Sequence, residues 1–447
     1  MNYLKLSKTL ALGIPVVLAS CNPSGDKNSE KARDAAPNII LILSDDQAWT
    51  DYSFMGHDHI QTPNIDRLAS KGLTFTQGYV PASLCRPSLA SLITGLYPHQ
   101  HKVLGNDPVM PDREKYSWGT EFLIQRAAYN KPVIENFESF ETLPELLHNR
   151  GYVSFQTGKW WEGVPANSGF DFALTHGDPS RGGRHGDEGL RIGREGMDTI
   201  FNFIDYATDK EKPFFLWYAP FLPHSPHTPP DSLLEKYLPL APTKAVAAYW
   251  AMCEFFDITC GQLMDYIDDK GLAGNTLFIY VCDNGWIQDP DKPNEYADPS
   301  KRSPYDMGIR TPIMFAWEGV IEPEMNTKEL VSSIDIVPTV LDMVGIEKSG
   351  DMHGINVLDK AKLNERDVIF GEIYAHDFTT IDSSVYYRIA ITDPYKLILP
   401  DAVNRPGEVP GLFNLKDDPY EKVNLAGENP QVLQDLTDRI DELWKGN

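Results

Sequence analysis

The sequence is poor in positive charge, in cysteine and in long apolar runs. Its 447 residues carry 40 Lys and Arg against 64 Asp and Glu, a formal net charge of -24. That balance argues against a general nucleic-acid binder, because such proteins present basic faces. It leaves open an anionic small ligand, which needs only a local cationic pocket. No internal repeat shows at the common periods, which argues against a repeat array.

Cysteine is scarce, and its spacing fits neither a disulfide framework nor a zinc site. Five cysteines occur: Cys21, Cys85, Cys253, Cys260 and Cys282. Cys253 and Cys260 fall within one helical pattern and Cys282 within an apolar, strand-like run. We interpret these three as core residues. Cys21 and Cys85 stand in distinctive surroundings and are treated separately.

Apart from the first residues, no apolar run is long enough to span a membrane. Residues 1–21, MNYLKLSKTLALGIPVVLASC, have two early lysines, an apolar run and a Leu-Ala-Ser-Cys ending. This is a signal-peptide pattern, and its ending resembles the bacterial lipobox, which places a lipid on Cys21; a plain signal peptide is the alternative. Residues 22–36 are polar and breaker-rich, which favours a flexible tether. We therefore expect an exported bacterial lipoprotein, in the periplasm or on the outer membrane surface.

Apolar runs of strand length alternate with helical patterns along the chain. Residues 38–43, NIILIL, lack charge, which is typical of a strand buried on both faces of a parallel sheet. Residues 243–270 form a long amphipathic helical pattern. This alternation predicts an α/β fold with a large, mostly parallel sheet sandwiched by helices. We expect a catalytic domain over 37–360 and a small C-terminal α+β subdomain over 361–447, with an antiparallel hairpin and a closing helix.

Oxygen-donor side chains come directly after two of the apolar runs. Asp45 and Asp46 follow the first run, and Asp283 and Asn284 follow NTLFIYVC. Ligands of open α/β sheets bind beyond the carboxyl ends of the strands, so the two pairs can meet there. An all-oxygen set suits a hard cation, calcium or magnesium. A single Asp after a strand is more often a helix cap, but two pairs at equivalent places favour a metal.

Cationic side chains also stand near predicted strand ends. Lys159 lies in TGKWW and Lys301 in SKRSPYDMGIRTP, where ordinary solvated lysines are the alternative. His224 and His227 lie in LPHSPHTPP, a proline-stiffened loop directly after a strand. Such a placement favours function over packing, although either histidine can be a spectator.

Taken together, these motifs resemble the type I sulfatases of the alkaline phosphatase superfamily. NIILILSDDQ resembles the first metal-binding strand of that family, CRPSLASLITG its C-x-P-S-R signature, and TGKWW its Gly-Lys-Trp-His segment. VCDNG resembles the second metal strand, and KRSPYDMGIRTP the segment with the second lysine. The resemblance extends from Asn38 to the C-terminus. It implies a sulfuric ester hydrolase.

The resemblance also implies a mechanism. A formylglycine-generating enzyme would oxidise Cys85 to formylglycine, whose hydrate attacks the sulfur of a sulfate ester. Lys159 and Lys301 would grip the sulfate oxygens, and His224 would protonate the leaving oxygen. One calcium ion, with magnesium as the alternative, would bind the four oxygen donors named above. Two-metal phosphatases of the superfamily have a histidine in place of Asn284, so a single metal is expected.

Two departures from the family pattern leave alternatives open. Leu89 stands where the signature has arginine, and Arg86 is the candidate replacement. Trp161 stands where a catalytic histidine is expected, and His99 and His101 are candidates to compensate. The favoured function is sulfate ester hydrolysis. The alternatives are a phosphate or phosphonate ester hydrolase with unmodified Cys85, and a catalytically weak surface binder of sulfated glycans.

A local basic segment points to the substrate. HGDPSRGGRHGDEGLRIGRE concentrates arginines in an acidic chain, and we expect Arg181, Arg184 and His185 to bind an anionic saccharide. A glycine-rich surface loop with solvated arginines is the alternative. Asn106 and Asp107, in the insert after the signature, are expected to bond sugar hydroxyls. The expected partner is therefore a sulfated glycan.

Overall fold

The strands of the described residues fall into three sheets. They are β1 (Asn38–Ser44), β2 (Leu73–Tyr79), β3 (Asp107–Pro108), β4 (Val153–Gly158), β5 (Phe172–Ala173), β6 (Phe214–Ala219), β7 (Thr276–Cys282), β8 (Arg310–Ala316), β9 (Glu324–Asn326), β10 (Val331–Ser332), β11 (Ile369–Tyr374), β12 (Asp377–Phe378), β13 (Val385–Ile391), β14 (Tyr395–Pro400) and β15 (Gly411–Asn414). The main sheet has the order β10-β2-β8-β7-β1-β6-β4-β5, with β9 paired to β2. Within it only β8 runs antiparallel to its neighbours.

Helices of 4 to 26 residues connect these strands. They are α1 (Pro63–Lys71), α2 (Cys85–Thr94), α3 (Pro98–His101), α4 (Thr120–Phe137), α5 (Leu143–His148), α6 (Asp198–Asp209), α7 (Asp231–Tyr237), α8 (Lys244–Asp269), α9 (Asp306–Ile309), α10 (Ile336–Met343), α11 (Lys360–Glu365), α12 (Ile381–Ser384) and α13 (Pro430–Trp444). The predicted long helix over 243–270 is α8, and the predicted closing helix is α13.

The central strand β1 is buried on both faces, as its charge-free sequence predicts. Because side chains alternate along a strand, Ile39 and Leu41 enter the core that contains residues of α2 and α10. Ile40 and Ile42 enter the opposite core, with residues of α1, α6 and α8. Burying each such side chain contributes about 1.5–3 kcal/mol. The helices therefore cover both faces of the sheet.

A second, four-stranded antiparallel sheet lies in the C-terminal part, in the order β11-β13-β14-β15. Its β13 and β14 form the predicted hairpin, and residues of α13 pack on it through Leu436 and Ile440. The predicted α/β fold with a small C-terminal α+β part is confirmed. The boundary at residue 360 stays a prediction.

The structure, a computed structural model, describes residues 36–183 and 188–445. The predicted signal peptide, and all but the last residue of the predicted tether, lie outside these residues, and so do Arg184 and His185. None of the helices within the described ranges is long and apolar enough to cross a membrane.

Candidate active site

Four neighbouring parallel strands, β7, β1, β6 and β4, end at one edge of the main sheet. Ser44 at the end of β1 pairs with Cys282 at the end of β7, and Gly158 of β4 pairs with Ala219 of β6. The residues that follow these ends therefore meet. This topology gathers the predicted aspartates, Lys159 and His224 in one place, as expected for the carboxyl edge of an α/β sheet.

Asp46 is the centre of the cluster. Its backbone is left-handed, with φ 65°, a conformation uncommon for a residue with a side chain. Its N–H donates to Asp283 Oδ1 at 3.1 Å, and its Oδ1 accepts from Asn284 Nδ2 at 2.6 Å. Lys301 Nζ lies 2.6 Å and 2.7 Å from the two carboxylate oxygens. Strained backbone held by surrounding bonds is typical of a functional site.

Lys159 binds the second carboxylate. Its Nζ lies 2.7 Å from both Asp45 oxygens and 3.7 Å from Asp283 Oδ2. The preceding Gly158 has φ +74°, and a Cβ there would lie 1.8 Å from Ala219 O, so only glycine fits. The glycine lets the chain turn at the end of β4 and brings the lysine into the buried cluster.

The electrostatics of the cluster follow from its burial. Burial raises the pKa of Asp45 well above its usual value, and proximity to Asp283 adds to this effect. Burial also raises the pKa of Asp283. Burial alone would lower the pKa of Lys159 and of Lys301, but the charges of Asp45 and Asp46 outweigh it and raise both. The lysines therefore stay cationic.

His224 completes the cluster from the loop after β6. Its Nδ1 lies 2.6 Å from Ser225 O, which favours a proton on Nδ1, and its Nε2 lies 3.3 Å from Asp46 Oδ2. Burial, followed by the charges of Lys159 and Lys301, holds the pKa of His224 well below its usual value. A lone pair on Nε2 thus faces a carboxylate oxygen, which calls for a shared proton or cation.

The donor set fits a hard cation. Three carboxylates meet only two ammonium groups here, so one negative charge is left to compensate in a buried place. Asp283 Oδ2 and Asn284 Oδ1 are buried and accept no hydrogen bond from any described residue. Ligand atoms of Asp45, Asp46, Cys85 and His224 lie within 4.8 Å of one another. The carboxylate oxygens of Asp45, Asp46 and Asp283 and the amide oxygen of Asn284 favour calcium or magnesium.

Cys85 lies at the first position of α2, against the same cluster. Its Sγ is 3.2 Å from Lys301 Nζ and 3.9 Å from Asp45 Oδ1. Pro87 lies in the first turn of this helix, where the backbone N–H has no helical partner and proline is tolerated. Burial raises the pKa of the Cys85 thiol.

Comparisons with known proteins decide the family. A model of the sulfatase family matches residues 37–346, more than half of the chain. The chain belongs to the sulfatase family. A second model, N-sulphoglucosamine sulphohydrolase, C-terminal, matches residues 295–446 of this sulfatase. The prediction of a sulfuric ester hydrolase of the alkaline phosphatase superfamily is confirmed.

Relatives and solved structures cover most of the chain. Human arylsulfatase A is 28% identical, over 90% of this chain and 86% of its own. Human N-acetylgalactosamine-6-sulfatase is 25% identical, over 90% and 84%. The structure of Ps i-CgsB in complex with k-i-k-neocarrahexaose superposes with a TM-score of 0.72 at 24% identity, over 92% of this chain and 94% of that one.

Arg86 has a different place in this sulfatase from the one its sequence position suggests. Its Nε and Nη2 bind Glu162 at 2.6 Å and 2.8 Å, and its Nη1 donates to Asn130 Oδ1 at 2.6 Å. Nη1 also reaches Asn106 O at 3.2 Å. All its side-chain hydrogen bonds within the described residues go to these three partners. Arg86 thus does not take over contacts with the metal-site carboxylates, and the expectation of a catalytic role is corrected to a positioning one.

Leu89 and Trp161, the two residues that depart from the family pattern, are both buried apolar side chains. Leu89 is buried in the core. The ring of Trp161 is also buried, and its centroid lies 5.8 Å from Lys159 Nζ. His99 pairs with Glu372 and His101 with Ser91 Oγ. The two histidines are therefore engaged with these partners.

A cleft of about 490 Å³ opens beside Lys301. Its walls include Asn106, Trp286, Tyr296 and His376. Asn106 therefore lies where the sequence places it, in the insert at the rim of the site. Its neighbour Asp107 lies in β3, which pairs with β12, and is half-buried. Arg181 is exposed on a short turn outside the cluster.

No sequence pattern indicates the roles of two further residues. Arg194, which the sequence shows only as part of the basic segment, donates to Phe221 O at 2.6 Å and to His224 O at 2.9 Å. It thereby holds the loop that carries His224. Tyr249 of α8 places its hydroxyl 3.1 Å from Asp46 O and 2.6 Å from Asp51 Oδ2, so its one proton is shared between these two acceptors. Both act on backbone carbonyls distant in sequence, which no local pattern indicates.

Proposed function

We propose that this sulfatase hydrolyses a sulfate ester of a sulfated saccharide, with a formylglycine formed from Cys85 as nucleophile and one calcium ion. The observation that carries the proposal is the juxtaposition of Cys85 Sγ, Lys301 Nζ at 3.2 Å and Asp45 Oδ1 at 3.9 Å. A nucleophile, a sulfate-binding cation and a metal-site carboxylate thus share one point in the fold.

The residues around that point supply the rest of the chemistry. As a hydrate, formylglycine offers one hydroxyl to attack sulfur and a second that loses its proton when the carbonyl re-forms and sulfate leaves. The ammonium groups of Lys159 and Lys301 bind sulfate oxygens and stabilise the charge that develops on them. Trp161 and Phe221, whose rings lie 5.8 Å and 5.3 Å from Lys159 Nζ, keep water from that lysine.

His224 is the proton donor to the leaving oxygen. Burial and the two lysines hold its pKa well below the usual value, so His224 is neutral in the free site and takes up the proton that it donates once an anionic sulfate ester is bound beside it. The contact between Nδ1 and Ser225 O leaves Nε2 directed at the cluster. Arg194 fixes the loop that carries it.

The metal would be held by oxygen atoms of Asp45, Asp46, Asp283 and Asn284. When bound, a calcium ion supplies positive charge that offsets the excess of carboxylates and the charge of the transition state. The buried Asp283 Oδ2 and Asn284 Oδ1, which accept no hydrogen bond from any described residue, support this assignment. An all-oxygen donor set favours calcium or magnesium over zinc or copper.

A saccharide substrate is supported by the proteins to which this chain is similar and by the cleft. One curated relative is named for an N-acetylgalactosamine 6-sulfate, and one similar structure holds a neocarrahexaose. The cleft beside Lys301 combines Trp286 and Tyr296 with polar Asn106, a mixture suited to sugar rings. A lipid on Cys21 would hold the enzyme at the envelope, where such glycans arrive.

The test is release of inorganic sulfate from a panel of sulfated mono- and oligosaccharides, run beside phosphate and phosphonate monoesters. Wild-type protein and Cys253→Ala, which changes a buried core thiol, should release sulfate, and Cys85→Ala should not. Hydrolysis of phosphate esters alone would contradict the proposal. So would sulfate release that survives Cys85→Ala.

A further inference from the structure

A buried group of three charged residues joins the C-terminal sheet to α9, the short helix before β8. The Nζ of Lys396, in β14, lies 2.9 Å from Asp306 Oδ1 and 2.7 Å from Glu421 Oε1. Glu421 Oε2 also accepts the backbone N–H of Asp306 at 2.6 Å. The three side chains are at most 1% exposed. We refer to Asp306, Lys396 and Glu421 as the ion triad.

The ion triad is costly to build. Burial alone would lower the pKa of Lys396, but the charges of Asp306 and Glu421 outweigh it and raise that pKa. Glu421 lies in the loop after β15 and has a left-handed backbone, with φ 53°, which is uncommon for a residue with a side chain. Desolvation offsets much of the attraction within a buried ion group, so such a group adds little to stability. This cost motivates the hypothesis that the ion triad serves to fix a geometry.

The helix α9, which begins at Asp306, is bonded to the metal segment of the candidate active site. The N–H of Gly285, the residue after Asn284, donates to Gly308 O at 2.9 Å. A hydrogen bond thus joins α9 to the strand end that supplies two of the proposed metal ligands. A displacement of Asp306 would therefore be felt at the metal site.

The segment that carries Lys301 packs on the same helix. Ser300 O lies so close to Gly308 that a Cβ there would be 2.4 Å away, so only glycine fits. Arg302, on the other side of Lys301, has φ 67°, and its N–H donates to Ser83 O at 2.8 Å. Lys301 is therefore held between α9 and the segment that precedes α2.

We propose that Lys396 and Glu421 are positioning residues for the sulfatase reaction. Through Asp306 and α9 they set the place of Lys301, so the C-terminal sheet fixes an ammonium group that binds a sulfate oxygen. The inference rests on the proposed function, because it concerns the sulfate-binding role of Lys301.

Breaking the ion triad should weaken the handling of every sulfate ester. Lys396→Met leaves two buried carboxylates without a counter-charge, and we expect kcat/KM to fall roughly 10- to 100-fold. Because Lys301 binds the sulfate group that all substrates share, the loss should be equal for sugar sulfates and for nitrophenyl sulfate. The dissociation constant of inorganic sulfate, measured by calorimetry without any turnover, should rise roughly tenfold.

Two further variants separate positioning from stability. Arg366→Met is the matched control, since it breaks another buried ion pair, with Asp335 before α10. It should lower the unfolding temperature, as Lys396→Met does, but keep the kcat/KM and the sulfate affinity of wild type. The triple variant Asp306→Asn, Lys396→Met, Glu421→Gln removes all three charges and should fold even where Lys396→Met does not, because neutral groups can replace a buried ion triad at little cost. It should lose as much kcat/KM and sulfate affinity as Lys396→Met.

The outcomes separate this inference from the proposed function. Wild-type kinetics and sulfate affinity in the folded Lys396→Met or triple variant would overturn the positioning role, whatever Cys85 does. A loss confined to sugar sulfates would also overturn it, because the defect would then lie in the saccharide cleft. An equal loss in Arg366→Met would assign the effect to general destabilisation and refute the inference. A wild-type protein that hydrolyses no sulfate ester would overturn the proposed reaction, whereas weaker sulfate binding by Lys396→Met would still support the positioning role.

Discussion

Arg86 and Glu162 form a two-point ion pair inside the protein, with Nε–Oε1 at 2.6 Å and Nη2–Oε2 at 2.8 Å. Both side chains are buried, and the residues are 76 positions apart. The pair links α2, which begins with Cys85, to the segment after β4 that carries Lys159. It therefore fixes the distance between the expected nucleophile and Lys159, one of the two lysines proposed to bind sulfate.

Removing one partner of this pair should be costly. Arg86→Met leaves the Glu162 carboxylate buried without a counter-charge, which we expect to lower the free energy of unfolding by about 3–5 kcal/mol. The double variant Arg86→Met, Glu162→Met should recover much of that loss. Urea unfolding measures both. Arg67→Met, which breaks the exposed pair with Asp265, should cost at most about 1 kcal/mol. If the double variant lost as much stability as Arg86→Met and Glu162→Met lose together, this account would be contradicted.

Calcium should reverse the effect of Asp283→Asn on thermal stability. Without metal, Asp283→Asn should leave thermal stability equal or higher, because burial raises the pKa of that carboxyl and its charge is unfavourable. With calcium at one hundred times its dissociation constant, wild type should gain about 2.7 kcal/mol. The variant should gain much less. Thermal scans with EGTA and with calcium compare the two, and Asp265→Asn serves as an exposed control. An equal calcium shift in both proteins would refute the assigned ligand.

Arg194 should act through the position of His224. Replacing Arg194 by Met releases the carbonyls of Phe221 and His224, and we expect kcat/KM to fall roughly 10- to 100-fold. Because His224 is the proposed acid, the loss should be larger for sugar sulfates than for nitrophenyl sulfate, whose leaving group needs no proton. The exposed neighbour Arg191→Gln is the control. An equal loss on both substrates would indicate a merely structural role.

Asp51 should make stability depend on pH. Burial raises its pKa from 3.8 to about 6, so between these values the folded protein holds a proton that the unfolded chain has released. Its contribution to stability is therefore fully present below pH 3.8 and is lost as the pH rises through about 6. The loss is on the order of 2–3 kcal/mol.

Asp51→Asn isolates this contribution. Asp51 Oδ2 accepts both Tyr249 OH at 2.6 Å and the Ala48 N–H at 3.1 Å, and one amide oxygen can do the same. Between pH 4 and pH 7 the variant should therefore gain stability relative to wild type, measured by urea unfolding with EGTA present. A stability difference that stays constant over this range would show that the carboxyl does not titrate there.

Much of the fold and the cluster could be predicted from local patterns. The charge-free run at Asn38 predicts a doubly buried strand, and paired donors after two strands predict the meeting of Asp46 with Asp283. The partner of Arg86 could not be predicted, because Glu162 is brought to it by packing and no spacing marks the pair. The role of Arg194 could not be predicted for the same reason. Its charge is evident from the sequence, but the carbonyls that it binds belong to a loop some 30 residues away.

The mass of the tryptic peptide that contains Cys85 tests the central claim most directly. The protein should be purified from a bacterium in which a known formylglycine sulfatase is converted, so that the maturation enzyme is demonstrably active. The account predicts that residue 85 carries formylglycine despite Leu89 in the signature. An intact thiol at that position, beside a converted control, would contradict it.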